Sequence, residues 1–354
     1  MNELLLIQTT LDTYREEFLG GLKAESEIPV TVMSGTQHFV PSVRTRVTYP
    51  YLPLKNHYFI GRKFLWQQGV IKKSLAFSHV VIELNPRIVS TWVLIGLRRI
   101  LGKKTICWGH ANSRSHTGKT TGRTLMRRLA KGPTIAYTAT DAEKFRIDYP
   151  GNQTFVAANA LHKRSQIVAI RTSPGNDIIF SGRFHESKRP LEVLKAFHAV
   201  CLRSHRVGNL VMLGDGPLLN EIEAYVKIHN LESRVLLPGW VSSLDDLKTH
   251  YEHARVSVVA GYVGLNATQS LGFGVPMIYP ERTTLRHAPE VTVLASHNSA
   301  SYQEEVPGSL EIVLESVFEG EVTFASPMEI SSEIAANYAI ENMVDGFLSA
   351  VRMR

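Results

Sequence analysis

Two cations and three glycine-containing turns, all within Ser181–Pro276, are the residues of this sequence best suited to hold an anion. Arg183 and Lys188 follow a predicted strand, Asp177–Ser181. An arginine offers two parallel N–H donors to a phosphate, and a lysine offers a compact positive charge. Positive charge near a helix N-terminus is unfavourable by itself. An anion between the two side chains would remove that conflict.

The second and third turns are rich in small residues and follow later strands. Gly214-Asp215-Gly216-Pro217 comes directly after a predicted strand, Leu210–Leu213, and Gly264-Leu265 precedes a predicted helix, Asn266–Phe273. Glycine lets backbone N–H groups approach an anion closely at a helix start. Because ligands of parallel sheets bind outside the carboxyl ends of the strands, we expect one diphosphate site built from all three turns.

Each turn also has a purely structural interpretation. Arg183 and Lys188 are then ordinary surface cations, and Gly214-Asp215-Gly216-Pro217 is a tight strand-to-helix turn without a ligand. A nicotinamide-binding fingerprint does not fit. Such a fingerprint follows the first strand of its fold, and here the first predicted strand leads to Thr9 and Thr10 instead of glycines.

Strand-like and helix-like segments alternate along both halves of the chain, which predicts parallel α/β sheets. A length of 354 residues favours two domains. We predict an N-terminal Rossmann-like domain over 1–165, a C-terminal Rossmann-like domain over 176–330 and a closing helical segment over 331–354. Weak periodicity predicts a linker over Ala158–Gly175. Helices are predicted at Arg62–Leu75 and Ser331–Arg352.

The net charge of +7 is unevenly distributed, because residues 1–160 hold 22 Lys and Arg against 10 Asp and Glu. Residues 55–131 hold 16 basic residues and one acid, Glu83. Aromatic residues do not interleave with these charges and no nucleic-acid-binding motif appears, so we expect no nucleic acid partner. We favour an anionic membrane surface or an anionic lipid-linked substrate. A solvated basic face is the alternative.

Targeting signals and disulfides are not expected. The most apolar stretch, around Ile88–Leu97, is shorter than the roughly 18 residues of a membrane span. The N-terminus has no basic region before its apolar residues, so we interpret it as a first strand. The two cysteines, Cys107 and Cys201, are far apart and indicate a reducing compartment.

The C-terminal half, over about 177–350, resembles the retaining GT-B glycosyltransferases of the family-4 (glycosyl transferases group 1) type. Gly182-Arg183 with Lys188 is similar to that family's diphosphate-holding pair, and Gly214-Asp215-Gly216-Pro217 to its Gly-x-Gly-Pro turn. Leu237-Pro238-Gly239-Trp240-Val241 resembles the segment beside the nucleotide base. The resemblance implies a donor site of Gly182, Gly214, Gly216, Pro217, Trp240, Val241, Gly261, Gly264, Leu265 and Gln269, with Arg183 and Lys188 as catalytic cations.

The chain departs from the family at two glutamates that usually lie eight residues apart. Gly261 and Gln269 stand at their positions. The amide of Gln269 can still form hydrogen bonds with the ribose hydroxyls of the donor, although it lacks the negative charge of a glutamate. Gly261 has no side chain to contact the donor sugar, although its neighbours could do so through backbone N–H groups. Because of this departure, the sequence does not specify the donor sugar. A non-catalytic protein is the alternative that it leaves open.

Candidates for the acceptor side come from the N-terminal half, where the resemblance is weaker. His110 follows the predicted strand Thr105–Trp108, and we expect it to face the cleft as a third catalytic residue. The alternative is a packed loop histidine. Glu83 and Asn85, at the end of the preceding strand, and Tyr14 and Arg15, at the first long helix, are expected acceptor contacts. Glu83 could instead be a local ion-pair partner.

The resemblance implies a GT-B fold, in which two Rossmann-like domains face a central cleft and the C-terminal helix crosses back to the N-domain. It implies that the domain over 1–165 lies on the acceptor side and that the domain over 176–330 binds the nucleotide sugar. It implies a hexosyltransferase-type glycosyltransferase. Such an enzyme moves a sugar from a nucleotide-diphosphate sugar to an acceptor hydroxyl, with retention. The resemblance also implies a role in the assembly of a bacterial capsule, O-antigen or exopolysaccharide. No Asp-x-Asp motif occurs, so we expect no metal and no cofactor beyond the nucleotide sugar.

We expect the acceptor to be a lipid-diphosphate-linked or other glycan. The protein is then cytoplasmic and associates peripherally with the inner face of the cytoplasmic membrane through its basic N-domain. Two other functions stay open. A sugar-nucleotide 2-epimerase shares the fold but needs acid and base carboxylates in the cleft. A non-catalytic nucleotide-sugar or nucleic-acid binder needs only the anion site.

Overall fold

The computed structural model describes residues 3–40, 44–111, 121–173, 175–283 and 287–353. These residues form two compact units. The N-terminal unit contains the described residues through Lys163 together with the segment that begins at Tyr338. The C-terminal unit is Arg164–Asn337.

The N-terminal unit is built on one eight-stranded sheet in the order β4-β3-β2-β1-β5-β6-β7-β8. Its strands are β1 Leu4–Gln8, β2 Val30–Gly35, β3 Leu52–Phe59, β4 Phe64–Gln68, β5 His79–Glu83, β6 Thr105–Gly109, β7 Lys131–Ala136 and β8 Thr154–Val156. All neighbours pair in parallel except β3 and β4. Strand β1 is apolar and buried along its whole length, as expected for a parallel strand covered on both faces.

Helices cover both faces of this sheet. They are α1 Glu16–Glu25, α2 Val70–Ser74, α3 Val89–Ile100, α4 Thr121–Ala130 and α5 Ala139–Asp148. Helices α3, α4 and α5 place Leu94, Met126 and Phe145 in one core cluster. On the other face, Phe18 of α1 packs against Trp108 of β6, with ring centroids 5.4 Å apart.

The C-terminal unit has a six-stranded, fully parallel sheet in the order β11-β10-β9-β12-β13-β14. Its strands are β9 Asp177–Ser181, β10 Leu210–Leu213, β11 Val235–Gly239, β12 Ala254–Val258, β13 Met277–Pro280 and β14 Ser299–Tyr302. Its helices are α6 Pro190–Cys201, α7 Leu219–Ile228, α8 Leu244–Tyr251, α9 Asn266–Gly272, α10 Ser309–Glu319 and α11 Pro327–Asn337. The predictions for β9 and β10 are confirmed. Pro190, pre-set for a first helical turn, begins α6.

The predicted helix Arg62–Leu75 is wrong. Residues Phe64–Gln68 form β4, which pairs antiparallel with β3, and only the short helix α2 follows. Leu65 and Gln67 are buried and alternate with more exposed neighbours, which is the period of a strand. Gly69, at a positive φ of 85°, separates the two elements.

The predicted helix Ser331–Arg352 is two helices, α11 and a final helix, α12 Ile340–Arg352. Helix α11 belongs to the C-terminal unit, whereas α12 packs beside α1 in the N-terminal unit. Phe347 of α12 contacts Phe18 edge-on at 5.4 Å. The residues expected to form a linker are partly structured, because Ile167 is buried and Ile170 N–H donates to Phe273 O at 3.3 Å.

Within the described part of the chain, no helix has the length and apolar character needed to cross a bilayer.

Candidate functional site

Three loops meet at the carboxyl edge of the C-terminal sheet. Strand β9 lies between β10 and β12, so the loops that follow these strands are neighbours. The Gly182 N–H donates to Leu213 O at 2.9 Å, and the Gly214 N–H donates to Gly239 O at 2.9 Å. The turns singled out from the sequence therefore lie at one edge of one sheet.

The glycines of the second turn are required by its contact with the first. A Cβ at Gly214 would lie 1.9 Å from Gly182 O, and one at Gly216 would lie 2.5 Å from Phe184 O. Gly216 also has a positive φ of 154°. The Leu218 N–H donates to Phe184 O at 3.1 Å and ties the two turns together. Close packing of two backbones is thus what these glycines permit.

Lys188 is held over the third turn. It ends a short 3-10 turn, Glu186–Lys188, whose start is capped by the His185 side chain. Its Nζ donates to Tyr262 O at 2.8 Å and lies 3.7 Å from the centroid of the Tyr262 ring. The same Nζ is 3.5 Å from where a Cβ of Gly264 would stand. Arg183, at the start of the same loop, is exposed.

Gly261 allows the Lys188 segment to reach this turn. A Cβ at position 261 would lie 2.1 Å from Ser187 O and 2.7 Å from Lys188 Cα. Contacts below 3.0 Å are not tolerated, and here both atoms belong to the backbone. The position where the family usually carries a glutamate is therefore closed to any side chain in this structure.

The backbone N–H groups of 262–264, which the sequence suggested as ligand donors, all donate within the protein. The Tyr262 N–H donates to Ser187 O at 3.3 Å. The Val263 N–H donates to His287 Nδ1 at 2.9 Å, and the Gly264 N–H donates to Asn266 Oδ1 at 3.0 Å. These bonds shape the turn that supports Lys188. A contact of these amides with the donor sugar stays a prediction.

His287 clamps this turn to the end of β13. Its Nδ1 accepts from the Val263 N–H, and its Nε2 lies 2.9 Å from Pro280 O. A carbonyl only accepts, so Nε2 carries the proton and the imidazole is neutral. Partial burial lowers the pKa of His287 below its ordinary value and favours this state. Nothing in the local sequence around His287 pointed to this role.

Gln269 lies on α9 at the wall of a cavity of about 100 Å³. Its Nε2 lies 3.3 Å from Ser181 Oγ and 3.2 Å from the hydroxyl of Tyr251. Burial raises the pKa of Tyr251 to about 12, so this hydroxyl stays protonated. The cavity is lined by Ser181, Gly182, Leu213, Gly214, Trp240, Val241, Leu247 and Gln269.

Trp240 is 62% exposed at the rim of this cavity. A large exposed aromatic face beside glycine-lined backbone suits a planar ligand group. The structure thus brings five predicted donor-side residues to one cavity: Gly182, Gly214, Trp240, Val241 and Gln269.

The N-terminal unit groups its candidates at the carboxyl ends of β1, β5 and β6. His110 Nδ1 lies 3.5 Å from Asp141 Oδ2, and its ring centroid is 4.4 Å from that of Tyr137. Thr138 caps α5 and accepts from the Asp141 N–H at 3.0 Å, which positions the carboxylate. Nothing in the local sequence around Asp141 indicated this contact. The His110 side chain is 35% exposed, so it retains access to solvent.

Glu83 is bound by Thr9 through both its backbone N–H, at 2.5 Å, and its hydroxyl, at 2.6 Å. Burial raises the pKa of Glu83, while the Thr9 bonds and the charge of Arg15 oppose the rise. Arg15 is buried, with its guanidinium 4.7 Å from the Trp108 ring and 3.3 Å from the Tyr137 hydroxyl.

The two remaining acceptor-side candidates are held locally. The guanidinium carbon of Arg15 lies 5.0 Å from the centroid of the Tyr14 ring. The Asn85 side chain accepts from the Arg87 N–H at 3.2 Å. Roles of these residues in acceptor binding stay predictions.

Among the described residues, no group of three or more His, Cys, Asp or Glu side chains is placed to hold a metal ion.

Residues 165–288 match the family model described as glycosyl transferases group 1. No curated protein matches the sequence. Similar solved structures include the lipopolysaccharide outer core galactosyltransferase WaaB, with a TM-score of 0.68, 14% identity and 99% of each chain covered.

Two further structures are similar over nearly the whole chain. HepE of Anabaena, in complex with UDP, has a TM-score of 0.70, 11% identity and 99% of each chain covered. The pneumococcal O-GlcNAc transferase GtfA, in complex with UDP and GlcNAc, has a TM-score of 0.66 and 10% identity, with 99% of this chain and 98% of that one covered. At such identities the likeness shows the fold.

The two α/β units match the GT-B glycosyltransferases, which confirms the predicted fold class. The expected enzyme class is supported by the family match together with that fold. Residues 165–288 of this chain therefore match the glycosyl transferases group 1 family, within a chain that has the GT-B fold.

Proposed function

We propose that this protein transfers a sugar from a nucleotide-diphosphate sugar to a hydroxyl of a glycan acceptor, with retention. The observation that carries the proposal is the placement of Lys188 over Tyr262 and beside Gly264, at the sheet edge where Gln269 lines a cavity. A fixed cation and a glycine-lined cavity at one sheet edge suit a diphosphate with a planar base attached.

The charge development of the reaction fits these residues. When the bond from the anomeric carbon to the donor diphosphate breaks, negative charge grows on the leaving oxygen. Lys188, already oriented by Tyr262, stabilises that charge with little reorganisation, and Arg183 adds a second positive charge. We propose metal-independent transfer, because these two side chains supply the positive charge in the C-terminal unit.

Structures with bound ligands support the donor class. HepE was solved with UDP and GtfA with UDP and GlcNAc. We infer a nucleoside-diphosphate donor for this chain, with the base stacked near Trp240 and the ribose near Gln269. Retention rests on the resemblance to the family-4 type.

We place the reaction in assembly of a bacterial surface polysaccharide, with a lipid-diphosphate-linked or other glycan as acceptor. The excess of basic residues over 55–131 supports an anionic membrane surface as the location. The protein then works in the cytoplasm, at the inner face of the membrane.

The test is thermal unfolding of the full chain with a panel of nucleotide sugars, followed by product analysis. A ligand of the folded state raises the unfolding temperature, so the donor is expected to stand out in the panel. That donor should be converted only when a glycan acceptor is added, and EDTA should leave the rate unchanged. Stabilisation by no nucleotide sugar, or an epimerised donor formed without acceptor, would overturn the proposal. Loss of activity with EDTA would overturn metal independence alone.

A further inference from the structure

Arg189, the residue that follows Lys188, has a left-handed backbone, with φ 48° and ψ 52°. This conformation is unfavourable for a residue with a side chain, because the Cβ lies too close to the following carbonyl oxygen. Pro190 comes next and adds a second conflict, since a residue before proline prefers extended backbone. Backbone strain of this kind persists only where surrounding contacts hold it, and it is concentrated at functional sites.

The left-handed residue joins the 3-10 turn Glu186–Lys188 directly to helix α6. The Arg189 N–H donates to His185 O at 3.2 Å and closes the turn. The Arg189 carbonyl accepts from the Glu192 N–H at 3.2 Å and begins the helix. The backbone direction at this one residue therefore sets the direction in which the Lys188 side chain leaves the turn.

An ion pair with Glu304 holds Arg189 in place. Arg189 Nη1 lies 2.5 Å from Glu304 Oε1, and the two side chains are only 29% and 20% exposed. In another pair of the same unit, Arg203 with Glu315, the arginine is 55% exposed. Water and salt screen a partly buried pair less than an exposed one, so we expect the Glu304 pair to be the more stabilising of the two.

Glu304 is itself fixed at the carboxyl edge of the C-terminal sheet. It lies two residues after β14 ends at Tyr302, and β14 is paired with β13. The Gln303 N–H donates to Ser309 Oγ at 3.0 Å and ties this loop to the start of α10. The carboxylate that contacts Arg189 is thus supported by a strand and a helix, and the ion pair links the loop after β14 to the loop after β9.

We propose that Arg189 and Glu304 are positioning residues for Lys188. Their ion pair holds the left-handed backbone of Arg189, and this backbone directs the Lys188 ammonium group to the donor diphosphate. Lys188 meets a diphosphate only in the proposed function, so the inference rests on that function. Glycine adopts left-handed backbone without a steric penalty, so Arg189→Gly should keep the backbone direction without needing an ion pair.

The experiment compares initial rates of sugar transfer by the full chain. The variants are Glu304→Gln, Arg189→Ala, Arg189→Gly and the double variant Arg189→Gly/Glu304→Gln. Arg203→Ala, which removes the more exposed pair with Glu315, is the matched control. The preferred nucleotide sugar is varied at saturating acceptor, so that kcat and KM are obtained separately. Urea denaturation of each variant measures its stability.

Glu304→Gln and Arg189→Ala are expected to lower kcat by about tenfold to a hundredfold, because a misplaced cation stabilises the transition state poorly. KM for the donor should change by less than about threefold, since the charge on the leaving oxygen develops only in the transition state. Arg189→Gly should be at least about tenfold faster than Arg189→Ala. In the Arg189→Gly background, Glu304→Gln should change kcat by less than about twofold. Arg203→Ala should match the wild type.

Three kinetic results would overturn the proposal. The first is a Glu304→Gln variant with a wild-type kcat and a lower urea midpoint, as expected for an ion pair that only stabilises the fold. The second is equal kcat for Arg189→Ala and Arg189→Gly. The third is the same loss from Glu304→Gln in the wild-type and the Arg189→Gly backgrounds.

Failure of the proposed function gives a different result, namely no transfer by the wild-type chain with any nucleotide sugar. Urea denaturation then tests the ion pair without a substrate. Arg189→Gly should be more stable than Arg189→Ala, and the effects of Arg189→Ala and Glu304→Gln should be non-additive. Additive effects, or equal stability of the two Arg189 variants, would count against the positioning role. If Glu304→Gln does not fold, the double variant should fold, and its failure to do so would also contradict the inference.

Discussion

Lys188 and Tyr262, 74 positions apart in sequence, are joined by a hydrogen bond of 2.8 Å from Nζ to the backbone oxygen. The ammonium group also lies 3.7 Å from the tyrosine ring centroid. Two contacts from one residue orient the cation before any ligand arrives. Such preorganisation is what makes a charge effective at a developing anion.

Replacing Lys188 by alanine is therefore expected to lower kcat by a factor on the order of 10²–10³, by analogy with loss of one oxyanion donor. Initial rates with the preferred nucleotide sugar measure the effect. Lys195→Ala, which removes an exposed lysine of α6, is the control and should keep full activity. Equal rates for the two variants would contradict the role given to Lys188.

Restoring the glutamate usual in the family, by Gly261→Glu, should damage the protein. A Cβ at this position would stand 2.1 Å from Ser187 O, so the backbone that carries Lys188 must move. We expect a loss of about 1–3 kcal/mol in the free energy of unfolding, as for other overpacked sites, and loss of transfer.

Gly264→Ala is the matched control for this prediction. Its new Cβ would be 3.5 Å from Lys188 Nζ, which is ordinary van der Waals contact. Urea denaturation of both variants measures the difference. A stable and active Gly261→Glu variant would show that the loop has another arrangement.

Acid is expected to loosen the turn that supports Lys188. Burial lowers the pKa of His287 from 6.5, so the unfolded chain binds a proton more readily than the folded one. Stability from the neutral clamp is complete above about pH 6.5 and is lost as the pH falls towards the lower folded pKa. Protonated Nδ1 can no longer accept from the Val263 N–H.

The measurement is urea denaturation of wild type and His287→Ala between pH 8 and pH 5, the range that brackets an ordinary histidine pKa of about 6.5. The variant should lose about 1 kcal/mol at the alkaline end, the usual worth of a hydrogen bond, and less at the acid end. His253→Ala, a change at an exposed histidine of the same unit, should keep a constant difference from wild type. A constant difference for His287→Ala as well would refute the clamp.

The amide of Gln269 at the cavity wall is expected to contribute to donor binding. Gln269→Leu removes the contacts to Ser181 Oγ and the Tyr251 hydroxyl, and should weaken donor binding about tenfold. Gln269→Glu should retain binding, because both hydroxyls can rotate to donate to a carboxylate. Isothermal titration with UDP measures both. Weaker binding by the Glu variant than by the Leu variant would contradict this account.

Much of the fold and part of the site follow from local pattern. The alternation of apolar strands with helical periods predicts the parallel sheets, and small residues after β9 and β10 indicate the edge where a ligand binds. Segments whose partners are distant along the chain do not follow from local pattern. The sequence predicts a helix where β4 lies, because the period of β4 is clear only when β3 is paired with it. The break between α11 and α12 follows from packing on different units.

By itself, the sequence determined the α/β class, the strand-edge position of Arg183 and Lys188, and the absence of a side chain at Gly261. Only the tertiary structure decided what that absence does. It showed that the space beside Gly261 is filled by the backbone of Ser187 and Lys188, and that His287 holds the neighbouring turn. Periodicity and turn chemistry report on neighbours along the chain, whereas contacts across 24 to 74 residues depend on how the strands are ordered in the sheet.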